Sequence, residues 1–361
     1  YNVELLWVRW YECLANNLAG LVNASLANIS PLIKTLLFIF LLLLGVGGVG
    51  AALCYQALRE PGPLIETRNV IVAKGTNLER IGVRLEEAGV IRSKWVFVSV
   101  ARLQGVHREM RSGEYKFRPG VSVGRVIALL RKGQLINRRI TIAEGLTVSQ
   151  IIKILEGADG LEGAPFPVPD EGTLLPDTYY YTFGETRQTI VDQMVLQMQL
   201  TIDALWAKRA SNLPIKSKKE ALILASIVEK ETGLPKERHR VAGVFINRLN
   251  KGMKLESDPT VIFSVTGGKG KLGRGLRKSE LRKDHPYNTY RVHGLPPGPI
   301  CNPGRAAIAA VLNPEKTSAL FFVADGTGGH KFSDTLQDHN KAVREWRRVE
   351  LQRKAKLKVK P

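Results

Sequence analysis

The feature that most constrains this chain is an uncharged run at residues 35–58, TLLFIFLLLLGVGGVGAALCYQAL. The run exceeds the ~20 residues that an α-helix needs to cross the hydrocarbon core of a bilayer. A helix in the core of a soluble protein seldom stays apolar on every side for so long. More than thirty residues precede the run and no clear small-x-small cleavage site follows it, which disfavours a cleaved signal peptide. We therefore expect a retained transmembrane helix over residues 31–58.

Residues 1–30, ahead of that helix, carry apolar side chains near the helical period, which indicates an interfacial amphipathic helix. These side chains are Val3, Trp7, Trp10, Leu14, Leu18 and Leu21. The chain does not start with Met, which suggests a piece of a longer protein, so we assign this segment no role. Basic residues flank the apolar run on both sides, and the positive-inside rule therefore does not fix its orientation.

The net charge of +20 is compatible with nucleic acid, anionic lipid or an anionic polymer as a partner. For a basic domain held beside a membrane, acidic headgroups or a carboxylate-bearing cell wall are favoured over DNA. The sequence has no RNA-binding aromatic signature and no zinc-finger spacing, so we expect no nucleic acid. Cys13, Cys54 and Cys301 are too scattered for a disulfide framework or a Cys-based zinc site, and no His-Glu-x-x-His spacing occurs. We predict no metal and no cofactor.

After the apolar run, Pro61, Gly62 and Pro63 indicate a linker over residues 59–68. Three segments then share a pattern in which Gly and Ser/Thr introduce a short amphipathic helix. The pairs are Gly75 with Thr76, Gly120 with Ser122, and Gly145 with Thr147. Alternating apolar residues precede two of them, as expected for a strand followed by a helix. We predict small α+β modules over 69–137 and 138–169; the alternative is ordinary capped helices that are similar by chance.

A Pro-rich break at residues 164–169 closes this half of the chain. We expect a mainly α-helical domain over 170–349, followed by a basic tail over 350–361 that is the solvated end of a helix. The predicted elements of this domain are helices at residues 189–209, 218–232, 236–250 and 338–354 and a strand at residues 320–324. A long loop-rich insert separates the last two helices. The fold class is therefore predicted to be α+β.

Two glutamates end the helix predicted over residues 218–232, KKEALILASIVEKET. Ser217 and Glu220 form a capping-box pattern at its start. At about 100° per residue, Glu229 and Glu231 lie about 200° apart and cannot face the same cleft. A surface carboxylate at a helix end is the ordinary interpretation of either one. Ala and Leu side chains share the face of Glu229, and partial desolvation there would raise the pKa of its carboxyl group, as a general acid requires.

Several short segments carry a family resemblance. They are ASIVEKET at 225–232, VFINRL at 244–249, LESDPTV at 255–261, YNTY at 287–290, GLPPGPI at 294–300 with NPG at 302–304, and FVADG at 322–326 with GH at 329–330. Together they resemble the MltG (YceG-like) family of endolytic murein transglycosylases. The resemblance extends from the apolar run to about Trp346. It includes residues 70–133, which resemble the LysM-like region ahead of that family's catalytic domain.

The resemblance implies which residues act on a substrate. The first Glu of the family's Glu-Lys-Glu-Thr motif is its catalytic acid/base, which corresponds to Glu229, and Glu231 is the second candidate. Glu256 stands where relatives usually carry Gln, and whether it assists catalysis is left open. The predicted substrate-binding residues are Glu231, Glu256, Asp258, Asn288, Thr289, Tyr290 and Asn302.

For some of these residues, the chemistry of the side chain also predicts a role. Asp258 precedes Pro259, which favours an extended backbone, and its carboxylate is expected either to cap a turn or to bind a sugar hydroxyl. Asn288, Thr289 and Tyr290 combine amide, hydroxyl and aromatic groups, which suit a sugar ring and its N-acetyl arm. A turn-forming role is equally compatible with the Asn-Thr pair.

The activity implied by the resemblance is cleavage of the MurNAc–GlcNAc bond within nascent peptidoglycan strands. The products would carry 1,6-anhydro-MurNAc ends, and the cut would terminate strand elongation near the peptidoglycan synthases. The chain would then be a single-pass protein of the bacterial inner membrane, with a cytoplasmic N-terminus and a periplasmic catalytic domain. One carboxyl group would suffice for this reaction.

Two alternatives remain at this stage. A lysozyme-type hydrolase would need a second carboxylate at ~5–9.5 Å from the acid, for which Glu256 and Asp258 are candidates. A non-catalytic peptidoglycan-binding scaffold would use the LysM-like module and the basic charge without cutting the strand.

Overall fold

The computed structural model describes residues 30–165 and 167–358 of the chain. The amphipathic helix predicted ahead of the apolar run lies outside these described residues. The chain divides into two compact units, Tyr1–Gln134 and Leu135–Pro361. Each unit combines helices with two-stranded sheets, which confirms a mixed helix and sheet fold.

In the described part of the first unit, the first helix is α1, Pro31–Arg59. Pro31 lies in its first turn, where the missing N–H of proline costs no helical hydrogen bond. Among the described residues, α1 is the one helix that is long and apolar enough to cross a membrane. The span predicted over residues 31–58 therefore coincides with a candidate membrane helix.

The remainder of the first unit is a small α+β module. Its elements are β1 (Arg68–Val72), α2 (Leu78–Glu87), α3 (Lys94–Leu103), β2 (Gly113–Phe117) and α4 (Val123–Lys132). The two strands pair antiparallel, with Val70 opposite Tyr115. The buried side chains of this module come from both strands and all three helices, and include Val72, Ile81, Leu85, Phe97, Phe117, Val126 and Leu130. The alternating apolar residues that predicted β1, Val70 and Val72, are therefore the residues on its buried face.

The second unit contains most of the helices and three small sheets. Its elements are β3 (Arg138–Thr141), α5 (Val148–Glu156), β4 (Leu161–Glu162), β5 (Thr178–Tyr181), β6 (Glu185–Thr186), α6 (Arg187–Ala207), α7 (Lys218–Glu231), a 3₁₀ turn (Pro235–Glu237), α8 (Arg238–Asn250), α9 (Asp258–Thr266), α10 (Lys278–Arg282), α11 (Arg305–Leu312), β7 (Phe321–Ala324), β8 (His330–Ser333) and α12 (Leu336–Lys358). Strands β3 and β5 pair antiparallel, β4 and β6 pair parallel, and β7 and β8 pair antiparallel. The sheets are small, and helix packing supplies most of the core.

Two of the three predicted helix entries have the expected cap. The Ser122 side chain accepts a hydrogen bond from the first turn of α4, and Thr147 forms a capping box with Gln150 at the start of α5. In α2 the cap is Asn77 rather than Thr76. The Thr76 hydroxyl instead donates to the carbonyl of Ala73, 2.8 Å away, and so closes the turn before the helix.

Helix α7 lies in the main core of the second unit and packs against α8 and α11. Its buried side chains are Ala221, Ile223, Leu224, Ala225, Ser226, Ile227 and Val228. Small alanines on this helix allow the close approach of its neighbours, while Phe245 of α8 fills the space beside them. The predicted helices and strand of this domain correspond to α6, α7, α8, α12 and β7, with ends displaced by a few residues. Because other elements of the unit pack around α7, the side chains of its last turn have fixed neighbours.

The insert predicted to be loop-rich also contains α9, α10 and α11. The prediction of an extended backbone at Asp258 was wrong, because Asp258 begins α9 and Pro259 follows it in the first turn. Proline is tolerated there because the first N–H groups of a helix have no intrahelical partner. The bias that Pro imposes on the preceding residue was outweighed by the start of this helix.

Candidate functional site

The candidate site is built at the C-terminal end of α7. At the start of that helix the Ser217 hydroxyl accepts a hydrogen bond from the Glu220 N–H, 3.1 Å away. At its end Thr232 has an extended backbone, so Glu229 and Glu231 both lie in the last turn. The two carboxyl groups contact different parts of the second unit, as their predicted separation around the helix requires.

Glu229 is enclosed by protein. Its side chain is 6% exposed, and its Oε2 accepts a hydrogen bond from the Gly304 N–H at 2.9 Å. Its Oε1 lies 3.9 Å from Nη2 of the buried Arg238, and the carboxylate of Glu144 lies 3.8 Å from the same nitrogen. Burial raises the pKa of Glu229, and the negative charge of Glu144 adds to this, whereas the Gly304 hydrogen bond and Arg238 oppose it. These contacts make Glu229 part of the packing between α7, α8 and the loop before α11.

Glu231 faces a cavity. The Ser257 hydroxyl donates a hydrogen bond of 2.5 Å to its Oε1. Burial raises the pKa of Glu231 to about 7, and the charge of Asp258 adds to this rise, while the Ser257 hydrogen bond and Arg248 oppose it. A carboxyl group with this pKa is partly protonated near neutral pH. It can therefore donate a proton and afterwards accept one.

The cavity beside Glu231 has a volume of about 480 Å³, which lies within the range of small-molecule sites. Residues of α8, α9, β7 and α12 form its walls. The lining residues besides Glu231 are Phe245, Arg248, Leu255, Glu256, Asp258, Tyr290, Phe321, Phe322, Val323, Leu336, His339, Asn340 and Val343. The lining thus combines apolar and aromatic side chains with polar ones, among them the carboxyl groups of Glu231, Glu256 and Asp258. Within the described residues, no group of three or more His, Cys, Asp or Glu side chains could hold a metal ion.

Asp258 and Tyr290 form a pair on the cavity wall. The Tyr290 hydroxyl donates a hydrogen bond of 2.7 Å to Oδ1 of Asp258. Burial raises the pKa of Tyr290 above its usual range, so the phenol stays protonated and remains the donor. The pair fixes a negative charge near Glu231, which helps to raise the pKa of that carboxyl group.

Glu256 lines the same cavity from a strained backbone. Its φ angle is +53°, in the left-handed region that side chains other than Gly seldom occupy. Its Oε2 accepts a hydrogen bond of 3.1 Å from Nη1 of Arg248, and the same nitrogen also donates to the carbonyls of Lys254 and Leu255. Arg248 therefore fixes the turn that carries Glu256 and directs the carboxylate toward the cavity.

Asn288 and Thr289 are both fully buried, so the structure gives them positioning contacts. Asn288 Nδ2 donates to three backbone carbonyls, those of Glu280, Leu281 and Lys283. The Thr289 hydroxyl accepts a hydrogen bond of 2.9 Å from the Ser257 N–H and contacts the Thr260 hydroxyl at 2.8 Å. The Asn288 and Thr289 side chains thus fix the loop that carries Tyr290. Thr289 also fixes Ser257, whose hydroxyl donates a hydrogen bond to Glu231.

Asn302 lies elsewhere in the second unit and is also fully buried. Its Oδ1 accepts a hydrogen bond from the Leu174 N–H, and its Nδ2 donates to the carbonyl of Leu146 and to Oε1 of Glu171. Burial raises the pKa of Glu171 to about 7. These bonds join the segment after β4 to the loop before α11, which also carries the N–H that contacts Glu229.

The sequence analysis missed two residues that the site depends on, Ser257 and Arg248. Ser257 lies between two predicted site residues, and Arg248 belongs to a segment of the family resemblance. A Ser before Asp-Pro signals a helix start, yet nothing local signals that its hydroxyl contacts Glu231, 26 positions earlier in the chain. The contact exists only because α9 begins beside the end of α7.

Comparison with known proteins places this chain in a family. The model of the YceG-like family matches residues 70–345. An endolytic murein transglycosylase of Bacillus subtilis is 30% identical over 329 residues, covering 81% of this chain and 89% of the relative. Endolytic murein transglycosylases of two Streptococcus pneumoniae strains are 28% identical over 367 residues, covering 87% of this chain. The matched region spans 65% of the length of the pneumococcal relatives.

A crystal structure of a yceG-like protein from Listeria monocytogenes also matches, with 28% sequence identity and a TM-score of 0.47. The match covers 76% of this chain and 99% of that one. The family model covers well over half of the chain, and the Bacillus relative is aligned over most of its own length. The resemblance seen in the sequence motifs is therefore confirmed: the chain belongs to the YceG-like family.

Proposed function

We propose that this chain is a lytic transglycosylase that cuts peptidoglycan strands internally, with Glu231 as its acid and base. The observation that carries the proposal is the position of Glu231, whose pKa is raised to about 7, on a cavity of about 480 Å³. The names of the relatives support the substrate and the reaction, since all three are endolytic murein transglycosylases.

The first step protonates the leaving group. Glu231, protonated near neutral pH, donates its proton to the glycosidic oxygen between N-acetylmuramic acid and N-acetylglucosamine. The bond from C1 to that oxygen breaks through a transition state that resembles an oxocarbenium ion. The hydrogen bond from Ser257 to Oε1 orients the carboxyl group and leaves Oε2 to carry the proton.

The second step uses the same carboxyl group as a base. Glu231, now ionised, removes the proton of the muramyl C6 hydroxyl as that oxygen attacks C1. The product is a 1,6-anhydro end, and neither water nor a cofactor is consumed. A pKa near 7 suits a group that must both donate and accept a proton at neutral pH.

The sequence-based assignment of the acid to Glu229 stays a prediction, but its surroundings support it less well. Glu229 is 6% exposed and already accepts a hydrogen bond from the Gly304 N–H. A glycosidic oxygen would have to reach the other carboxyl oxygen, Oε1, which lies 3.9 Å from Nη2 of Arg238. The pKa of both carboxyl groups is raised, and Glu231 also lines a cavity, which is what proton transfer to a substrate requires.

Three predicted substrate-binding residues, Glu256, Asp258 and Tyr290, line the cavity with Glu231. In this proposal they contact the sugar rings around the cleaved bond, the Tyr290 ring through its face and the carboxylates through sugar hydroxyls. The buried Asn288 and Thr289 support them from behind. Asn302 acts at a greater distance, through the packing around Glu171.

For the whole chain, the proposal is a single-pass protein of the bacterial inner membrane. Helix α1 would cross the bilayer with the N-terminus in the cytoplasm and the second unit in the periplasm. The β1–β2 module of the first unit would act as the LysM-like part. Residues 138–169 would connect it to the catalytic domain over residues 170–349. Cutting nascent strands would then terminate their elongation beside the synthases that make them.

A lysozyme-type hydrolase is a second candidate, because two further carboxylates, Glu256 and Asp258, share the cavity with Glu231. Either one could activate a water molecule if it lay at ~5–9.5 Å from the acid. Hydrolysis leaves a reducing sugar, whereas transglycosylation leaves an anhydro sugar lighter by one water. The non-catalytic scaffold predicts bound strands and neither product.

The test is a digest of uncrosslinked glycan strands by the full chain in detergent, followed by mass spectrometry of the ends. We expect internal cuts with anhydro ends from the wild-type protein and none from Glu231→Gln. Reducing ends would replace the transglycosylase proposal with the hydrolase, and binding without cleavage would leave the scaffold.

A further inference from the structure

A second cavity lies in the same unit, on the other side of the α7 end. Its volume is about 320 Å³. It is lined by residues of α5, α7 and α9, of the loops before α5 and after α9, and of the loop before α11. These residues are Glu144, Gly145, Leu146, Thr147, Gln150, Lys230, Pro259, Ile262, Phe263, Thr266, Gly268, Gly270, Lys271, Leu272 and Ile300. The mechanism proposed above assigns this cavity no role.

The two cavities adjoin at two places in the chain. Lys230 lines the second cavity and Glu231 the first, and Pro259 lines the second while Asp258 lines the first. Consecutive Cα atoms are about 3.8 Å apart. The end of α7 and the first turn of α9 therefore contribute residues to both cavities, which makes the second cavity a neighbour of the first.

The second cavity is held in shape by a long-range contact. The Thr147 hydroxyl, at the start of α5, donates a hydrogen bond of 2.6 Å to the carbonyl of Gly268 in the loop after α9. The Phe263 ring packs against Tyr287, with ring centroids 4.8 Å apart. These contacts fix both sides of the cavity before any ligand enters, which lowers the entropy lost on binding.

The lining combines an aliphatic surface with two lysines. Ile262 and Leu272 provide apolar surface, and Lys230 and Lys271 are both exposed cations at its edge. The acidic Glu144 lies near the Arg238 guanidinium, 3.8 Å away, which compensates part of its charge. A ligand matched to this lining carries small aliphatic groups and carboxylates.

We propose that this second cavity binds the peptide stem attached to the muramyl residue of the strand. The inference rests on the proposed function, because it requires a peptidoglycan strand in the first cavity. Stem peptides combine alanine residues with an acidic residue and a diamino acid, and they carry free carboxylates along and at the end of the chain. Lys230 and Lys271 pair with those carboxylates, and the methyl groups contact Ile262 and Leu272. A strand without stems keeps one lactyl carboxylate on each muramyl residue and offers the lysines fewer carboxylates.

The consequence is a preference for strands that still carry their stems. The full chain in detergent is given uncrosslinked strands with intact pentapeptide stems, and the same strands after an amidase has removed the stems. The measured quantity is the ratio of kcat/KM on the two substrates. A second measurement titrates an N-acetylated stem pentapeptide into Glu231→Gln protein by calorimetry, which needs no cleavage.

The variants are Lys271→Ala and Lys271→Glu, at an exposed position where folding is little disturbed. The matched control is Lys269→Ala, an exposed lysine of the same loop that is not among the described lining residues. We expect the wild-type ratio to exceed 1 and Lys271→Ala to lower it about 5-fold, the upper range for one exposed ion pair. Lys271→Glu should lower it further, and Lys269→Ala should leave it unchanged.

Two kinetic results would overturn the inference: a wild-type ratio near 1, or equal ratios for the wild type and both Lys271 variants. Peptide binding that Lys271→Glu does not weaken would also contradict it. If the wild-type chain cleaves neither substrate, the proposed function fails, and the titration still decides whether the second cavity binds a stem peptide.

Discussion

The two sides of the last turn of α7 place two glutamates two residues apart in very different surroundings. Glu229 is packed against the Gly304 N–H and near Arg238, with 6% of its side chain exposed. Glu231 receives one hydrogen bond from Ser257 and borders a cavity of about 480 Å³. Burial raises the pKa of both carboxyl groups. A raised pKa alone therefore does not identify a catalytic acid; access of a substrate to the carboxyl oxygen is the second requirement.

The difference follows from what each side of α7 packs against. The Glu229 side meets the loop before α11, whose backbone N–H supplies a fixed partner for a negative charge. The Glu231 side meets the start of α9, where a hydroxyl donor leaves one carboxyl oxygen unoccupied. Glu229 thus contacts the junction of three segments, and in the proposed function Glu231 exchanges a proton with the substrate.

The largest expected effect separates the two glutamates directly. Glu231→Gln keeps the shape of the side chain but can neither donate nor accept the proton, so we expect kcat to fall by at least ~10² to 10⁴-fold. Glu229→Gln should instead lower the free energy of unfolding by on the order of 1–3 kcal/mol, through the weakened Gly304 contact and the loss of one of the two carboxylates beside Arg238. Its folded fraction should keep activity within about 10-fold of wild type.

Activity is measured by release of anhydro ends and stability by urea unfolding of the same preparations. Glycan binding by Glu231→Gln serves as the control that its cavity is intact. The opposite pattern, an active Glu231→Gln and a stably folded but inactive Glu229→Gln, would restore the assignment made from the sequence. If both variants were active, Glu256 and Asp258 would become the next residues to substitute.

The next effect concerns pH. A general acid works in its protonated form, so kcat/KM should be highest below the pKa of Glu231 and fall as the pH rises through about 7. Ser257→Ala removes a hydrogen bond that lowers this pKa, so the falling limb should move to higher pH. Asp258→Asn removes a negative charge that raises it, so the limb should move to lower pH. If neither substitution moves the falling limb of the pH profile, Glu231 is not the general acid.

Glu171 is the control for that measurement, because burial raises its pKa to about 7 as well. Glu171→Gln should leave the kinetic limb in place. Both glutamates affect stability in the same direction: with folded pKa values above the usual 4.5, the folded chain binds more protons than the unfolded chain between those values. Stability from these groups is therefore present at low pH and lost as the pH rises through about 7.

The smallest expected effect is that of a substitution at Tyr290, in the wall of the cavity beside Glu231. Tyr290→Phe removes the hydrogen bond of 2.7 Å to Asp258 and keeps the ring. The pair is partly exposed, so we expect kcat/KM to fall by about 3- to 10-fold, which corresponds to about 1 kcal/mol. Thermal unfolding of the variant should be nearly unchanged. A loss as large as that of Glu231→Gln would mean that Tyr290 takes part in proton transfer itself.

Local sequence determined a good part of the fold. The apolar run, the caps at Ser122, Thr147 and Ser217, and the helical periodicity placed α1, α4, α5 and α7 close to where they lie. These features depend on a few neighbouring residues, through caps and amphipathic spacing. The sequence missed α9, because the bias of a residue before Pro toward an extended backbone is weaker than the start of a packed helix.

The site itself was only partly visible in the sequence. The period of the helix showed that Glu229 and Glu231 must face different ways, and the motifs showed the family. Which glutamate borders open space depends on α9, β7 and α12, which come from residues far along the chain. The same holds for Ser257, whose hydroxyl meets Glu231 only in the folded unit. Local pattern fixes the direction of a side chain on its helix, whereas burial and access depend on long-range packing, which only the tertiary structure decides.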